Sequence, residues 1–341
     1  MGWAPLGTSR CASRARQAGQ EIRVARTCQR RAAQLSSRCN SLFTRETTME
    51  KLLSASPTVS PDRTDVEECM PVQRLDPFLR WAGGKRWLVP QIEELLRGAS
   101  VRQYHEPFLG GGSVFFSLPY SSATLSDLNG DLIDVYREVR DNPEDVATAL
   151  KKFTNTSEDY YRARASVPTD PTERAARFVF LNHTSYNGIF RVNLKGEYNV
   201  PFGRRKHANI PDADRLVAIS RRLSGVVLSS GDFGEAIERV ESGDLVFLDP
   251  PYTVAHNNNG FVKYNQHLFS YDDQKRLARS ISGVLDRGAS FILTNAAHSS
   301  IEELFGPLGR KISVSRRNSV GGSMAARGRT EEYLFTNVGV N

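Results

Sequence analysis

The chain has 341 residues, with 45 Lys and Arg against 38 Asp and Glu and a formal net charge of +7, enough for one large α/β domain with an insertion or for two modest domains. No apolar run approaches the roughly 18–20 residues of a membrane helix, which excludes a spanning helix. The charge surplus lies in residues 1–48, where nine Arg face only Glu21 and Glu46, so the formally neutral remainder offers only local clusters, Arg204-Arg205-Lys206 and Arg316-Arg317, as sites for nucleic acid.

Cys11, Cys28, Cys39 and Cys69 all precede residue 70, so the rest of the chain can build neither a disulfide framework nor a Cys-ligated metal site. Residues 1–72 are rich in Arg, Ser, Ala and Gln, a composition that predicts disorder. A transit peptide, a basic arm for DNA phosphates, and translated sequence ahead of a start at Met49 or Met70 all remain open for this extension.

From Asp76 the pattern is globular. Trp81-Ala-Gly-Gly-Lys85 leads into helical spacing over 87–96. A short strand over 102–106 ends in Pro107-Phe-Leu-Gly-Gly-Gly-Ser113, a glycine turn, and Val114–Leu118 opens the next helix. Ala123–Asp127 is a second strand ending in a carboxylate, followed by a helix from Gly130 to about Arg140. Residues 144–225 read as mostly helical, interrupted over 182–206 by a polar stretch without period, a length of loop that is usually functional. Strands return at 226–230, 245–248 and 291–294, and 332–337 makes a late edge strand. This alternation predicts a doubly wound, mostly parallel α/β sheet of Rossmann-like type, with a helical insertion for target recognition.

The most informative stretch is Leu245-Val-Phe-Leu-Asp249-Pro-Pro-Tyr252. Its apolar run reads as a strand buried on both faces, and two prolines that cannot donate to a ladder stop it. Asp249 and Tyr252 are thereby displayed at a carboxyl end of the sheet, where open α/β folds bind ligands. A carboxylate and a proline carbonyl that accept from one exocyclic amine, beside a ring for stacking, suit a nucleobase bearing NH2. A plain helix-initiating turn is the competing reading. The glycines of 110–112 let backbone N–H groups approach a ligand, or they form only a tight turn. GxGxxG and GxxxxGK[ST] are both absent, so the loop suits a smaller anionic group than pyrophosphate. Asp127 stands where such folds chelate ribose hydroxyls, or it caps the next helix. Asp232-Phe233 repeats the arrangement, an acid for an adenine amine and a ring to stack on it. Four strand ends, at Pro107, Asp127, Asp232 and Asp249, then share one edge.

Trp81–Lys85, Glu106–Gly112, Leu125–Asn129, Gly231–Phe233 and Asp249–Tyr252 occur in an order that resembles the Dam-type DNA adenine N6-methyltransferases. Asn182–Gly196 with Tyr198–Gly203 resembles their target-recognition segment; Tyr264, Phe269, Asp273-Gln274 and the stretch 316–337 also fit. The likeness covers about residues 76–337 and implies 73–145 plus 226–341 as catalytic domain, with 146–225 as recognition insertion. It implies S-adenosylmethionine as methyl donor and no metal. Trp81, Lys85, Phe108, Gly110, Gly112, Asp127, Asp232, Phe233 and Asp249 would bind the donor, with Lys85 near its carboxylate end. Asp249, Pro250 and Tyr252 would be catalytic. Arg80, Tyr186, Asn187, Arg191, Arg204, Arg205 and Lys206 would contact double-stranded DNA, with GATC as one candidate target. The resemblance further implies a monomer in a bacterial or phage-infected cytoplasm, with no membrane partner and a cognate restriction enzyme left undetermined. A protein or RNA methyltransferase of the same fold is the rival enzyme, though those resemble Asn-Pro-Pro-Tyr at the turn where this chain has Asp249. A DNA-binding relative without catalysis is the non-enzymatic rival.

Overall fold

The computed structural model describes residues 74–193, 195–252, 269–317 and 329–339. The extension 1–72, its cysteines and Tyr264 fall outside the described residues. Seven strands form one sheet: β1 (Tyr104–Glu106), β2 (Ala123–Asp127), β3 (Val227–Ser230), β4 (Leu245–Leu248), β5 (Ser290–Ala296), β6 (Arg310–Arg317) and β7 (Arg329–Thr336). Their order is β3-β2-β1-β4-β5-β7-β6. The first five are parallel, and β7 runs antiparallel to both β5 and β6.

Among the described residues, nine α-helices accompany them: α1 (Val89–Leu95), α2 (Gly130–Asp141), α3 (Pro143–Leu150), α4 (Ser157–Ala165), α5 (Pro171–Thr184), α6 (Ala213–Leu223), α7 (Phe233–Glu238), α8 (Tyr271–Asp286) and α9 (Ser299–Phe305). Side chains alternate across a strand, and the core divides accordingly. Leu245 and Phe247 of β4, Ile292 of β5 and Leu334 of β7 pack with α1–α3, α5 and α6. Val246, Leu248, Phe291, Leu293 and Phe335 pack on the opposite face with α7, α8 and α9. Helices thus cover both faces, which is why β4 reads as an unbroken apolar run. None of the described helices is long and apolar enough to cross a membrane.

Three elements differ from the sequence expectation. Residues 332–337 are no edge strand: β7 is inserted between β5 and β6, and the edge is β6, whose alternating Arg-Lys-Ile-Ser-Val-Ser pattern has one apolar face only. Val114–Leu118 forms turns instead of a helix, because the Phe115 N–H is taken by the Glu106 carboxylate at 3.2 Å and Pro119 forbids continuation. The polar stretch begins later than expected, since Asn182, His183 and Thr184 are buried residues of the last turn of α5.

Beyond α5 the chain makes an antiparallel hairpin. Ser185 pairs with Phe202 and Val192 with Tyr198, and the Asn193 side chain accepts the Lys195 and Glu197 N–H groups to close the tip. Helices α3–α6 surround this segment in sequence, and the segment itself carries a 3-10 turn, Tyr186–Gly188.

Candidate active site

Parallel pairing brings four strand ends to one edge. The registers Glu106↔Leu125, Asp127↔Ser230 and Leu248↔Leu293 place Glu106, Asp127, the Asp232 segment and Asp249 there together. The same arithmetic sets Thr294 of β5 beside Asp249, just past the last β4–β5 pair. β7, antiparallel, adds Glu332 opposite Ala296.

The Asp249 carboxylate is gripped from two directions. Lys85 Nζ stands 2.8 Å from Oδ1 and 3.0 Å from Oδ2, and the Thr294 hydroxyl donates to Oδ1 at 2.7 Å. Burial pushes the Asp249 pKa up, while Lys85 and Thr294 hold it down. Lys85 is 3 % exposed; its ammonium also donates to the Gly83 carbonyl at 2.8 Å and lies 3.7 Å from Glu332. An ammonium this buried is held by the acid that neutralises it, and here that acid is Asp249. Tyr252, its phenol pKa raised well above normal chiefly by burial, donates to Glu332 Oε2 at 2.6 Å and lies under Lys85, 4.9 Å from Nζ to the ring centre. Pro250 is buried behind this corner.

Next to it lies the glycine loop. Gly110 and Gly112 adopt φ of +49° and +65°, a region costly for other residues. A Cβ on Gly110 would lie 2.6 Å from the Trp81 ring, so the bare backbone is what lets Trp81 lie against the loop. Asp127 ties loop to sheet, accepting from Gly110 N at 2.9 Å and Asn129 N at 3.0 Å, and its burial raises its pKa. Helix α2 is capped by Asn129, not Asp127. Glu106 accepts from the Tyr104 hydroxyl at 2.7 Å, and burial pushes its pKa up to about 8.

Asp232 caps α7 through Gly234 N and is engaged at both oxygens by Arg276, at 2.5 and 2.9 Å. Phe233 is 5 % exposed, packed on Phe108 and Phe269 with the Arg276 guanidinium 4.1 Å above its ring. As placed, its face is covered by Arg276. The apolar side chain that does project from this edge is Leu128, 73 % exposed.

The DNA-contact candidates gather on and below the hairpin. Tyr186 is 55 % exposed; Asn187 follows at φ +56°, exposed beside it. The Arg191 guanidinium is oriented by Asn199, with Nε to Oδ1 at 2.8 Å. Arg204 (φ +52°) and Lys206 are exposed and Arg205 half-buried, on the irregular segment that leaves the hairpin. Arg80 joins them because Asn182 clamps its backbone with two hydrogen bonds of 2.8 Å and Gly188 meets its side chain. Trp81 stacks on Phe190 of the hairpin, centroids 5.6 Å apart. His183 is buried, with Nε2 2.8 Å from the Phe78 carbonyl.

Sequence reasoning missed Thr294, Glu332, Asn182, Asn199 and Leu128. Glu332 did carry a signal, an acid inside an otherwise apolar strand.

Known proteins that resemble this chain identify its family. The family model for D12 class N6 adenine-specific DNA methyltransferases matches residues 81–316. A Type II methyltransferase of Lactococcus lactis subsp. cremoris, M1.LlaDCHI, is 36 % identical over 78 % of this chain and 96 % of its own length. Another of Methanocaldococcus jannaschii, M.MjaIII, is 37 % identical over 64 % of this chain and 84 % of its own. The DNA adenine methylase of Escherichia coli (strain K12) is 33 % identical over 64 % and 80 %.

Proposed function

Since the chain belongs to the D12 class N6 adenine-specific DNA methyltransferases, we propose that Asp249, Pro250 and Tyr252 carry out methylation of adenine N6 in duplex DNA. The reading rests on the hydrogen bonding of Asp249. Its Oδ1 accepts from Thr294 and lies 2.8 Å from the Lys85 ammonium, while Oδ2 accepts from Lys85 alone among the described residues. A carboxylate oxygen accepts two bonds, so Oδ2 keeps a place for one more donor.

N6 in a duplex is buried in its base pair, and reaching it requires flipping the base at a cost of a few kcal/mol. Tyr252 stacks on the extruded ring, worth about 1–3 kcal/mol for base–aromatic contacts. Hydrogen bonds from N6–H to Asp249 Oδ2 and to the Pro250 carbonyl favour a tetrahedral nitrogen and free its lone pair from the ring. Once alkylated, that nitrogen sheds a proton readily, so Asp249 acts by orienting N6 and need not be a strong base. Positioning and electrostatics supply the rate.

S-adenosylmethionine, when bound, supplies an electrophilic methyl group. The strand edge fits it: the loop 110–112, lacking Cβ atoms, lies close against the Trp81 ring, and acid groups stand on both sides. Trp81, Phe108, Gly110 and Gly112 would form its floor with Lys85 near its carboxylate end, Asp127 would hold the ribose, Asp232 and Phe233 would serve the adenine once Arg276 swings off them, and Asp249 would border the reacting end. Residues 73–145 and 226–341 then make up the catalytic domain, with 146–225 as the recognition unit of a monomeric enzyme. On the hairpin Arg191 reads a guanine edge and Asn187 an adenine. Arg80 adds a base contact, Tyr186 fills the stack left by the flipped base, and Arg204, Arg205 and Lys206 hold phosphates. GATC is the target we assign.

The test is single-molecule sequencing of DNA from a methylation-free host expressing the full chain or its Asp249→Asn variant. We expect N6-methyladenine at GATC, lost in the variant while duplex binding survives. Methylation that persists in Asp249→Asn rules out the assigned role, and a different motif rules out the target.

A further inference from the structure

Stacking requires only a ring, yet residue 252 is a tyrosine, and its hydroxyl is committed. It donates at 2.6 Å to Glu332, a carboxylate 1 % exposed on a strand whose neighbours Leu334 and Thr336 are fully buried. Burying a charge costs several kcal/mol unless it is paired and hydrogen-bonded. A strand serving only the core would carry an apolar residue here. Glu332 meets two groups of the site: the Tyr252 hydroxyl, and Lys85 at 3.7 Å, the ammonium that also holds Asp249 at 2.8 Å.

Mechanically, Tyr252 is fixed at both ends. Pro250 and Pro251 stiffen the backbone before it, and the Glu332 bond pins the far edge of its ring. With either end free, the ring could swing about its χ angles. With both held, its plane is set before a base arrives, and no ordering is left to do at the moment of reaction.

We propose that Glu332 is a positioning residue for methyl transfer, holding the ring of Tyr252 at the angle that receives the flipped adenine. The inference rests on Tyr252 being the stacking platform. It assigns Glu332 no contact with the base.

The experiment is steady-state and single-turnover kinetics on a duplex target for the full chain and for Glu332→Gln, Tyr252→Phe, the double variant and Tyr252→Ala. We expect kcat to fall about 10- to 100-fold in Glu332→Gln and in Tyr252→Phe, the range that small misplacements cost, with KM for donor and DNA changed less than about threefold. The double variant falls no further than the worse single one, because both changes act on one contact: Gln keeps an acceptor oxygen but gives up the charge that strengthens the bond, and Phe removes the donor. With 2-aminopurine as the target base, emission is brighter in both single variants than in wild type, since a flipped base less well stacked is less quenched. Losses that multiply in the double variant, or equal emission, overturn the proposal. If Glu332→Gln fails to fold, Tyr252→Phe decides alone, as it leaves Glu332 and Lys85 in place: a wild-type kcat there overturns it. Tyr252→Ala separates the two levels. Full activity in Tyr252→Ala removes the stacking role itself, whereas loss there with wild-type Tyr252→Phe removes only the role of Glu332.

Discussion

Lys85→Met removes the cation that lies between the Asp249 and Glu332 carboxylates. Lys85 is 4 % exposed at its side chain, and its partner Asp249 is 18 % exposed. Breaking a buried pair by deleting one partner costs about 3–5 kcal/mol. Water reaches Asp249, so the low end of that range applies, about 3 kcal/mol. For a domain of this size each kcal/mol shifts Tm by about 2–4 °C, giving a fall of about 6–12 °C. Without the ammonium that holds it down, the Asp249 pKa rises further. A carboxylate whose folded pKa is raised contributes stability below its unfolded value, and that contribution is lost as pH rises through the folded one. The deficit of Lys85→Met relative to wild type is therefore largest near pH 8 and shrinks towards pH 5.5. Thermal melts followed by circular dichroism at the two pH values measure it, and Asp249→Asn added to Lys85→Met should restore part of the loss. A deficit below about 2 °C, or one independent of pH, would refute the reasoning.

Glu106, raised to about 8 by burial, gives the wild-type protein a slope of its own: stability falls as pH rises from 5 to 8, by at most about 1.4 kcal/mol per pH unit. Glu106→Gln should flatten that slope in denaturant titrations across the window. Gly110→Ala sets a Cβ 2.6 Å from the Trp81 ring at a positive φ, so Trp81 must move; donor affinity by calorimetry should drop at least about tenfold, a loss of some 1.4 kcal/mol. Arg191→Ala should relax preference at one base of the target by about 1–3 kcal/mol in a site-library assay, with non-specific affinity little changed.

Much of the fold was legible because parallel strands covered on both faces must be apolar throughout and must stop where prolines begin. Leu245–Leu248 and Ala123–Asp127 lie where their sequences place them for that reason. The antiparallel end of the sheet was harder. β7 has buried residues on both faces and looks like any late strand, while only the tertiary pairing shows that it enters between β5 and β6. The site shows the same limit. Asp249 and Tyr252 announce themselves by the local change from apolar run to Pro-Pro, whereas the partner of Lys85 lies 164 residues away. Thr294 and Glu332 reach Asp249 through register across three strands, a distance no local pattern encodes.

That register also orders events in time. The corner around Asp249 takes Lys85 from before β1, Asp249 and Tyr252 from after β4, Thr294 from β5 and Glu332 from β7. Contacts of such wide sequence separation form late, because loop closure must precede them. During synthesis, at about 5–20 residues per second, the glycine loop and the hairpin have emerged long before β7 exists. Until β7 inserts, Tyr252 lacks its anchor and the sheet carries an open edge at β5. A nascent chain can therefore present the surfaces we assign to DNA before it owns the proposed catalytic corner, which is complete only with the last strand to be made.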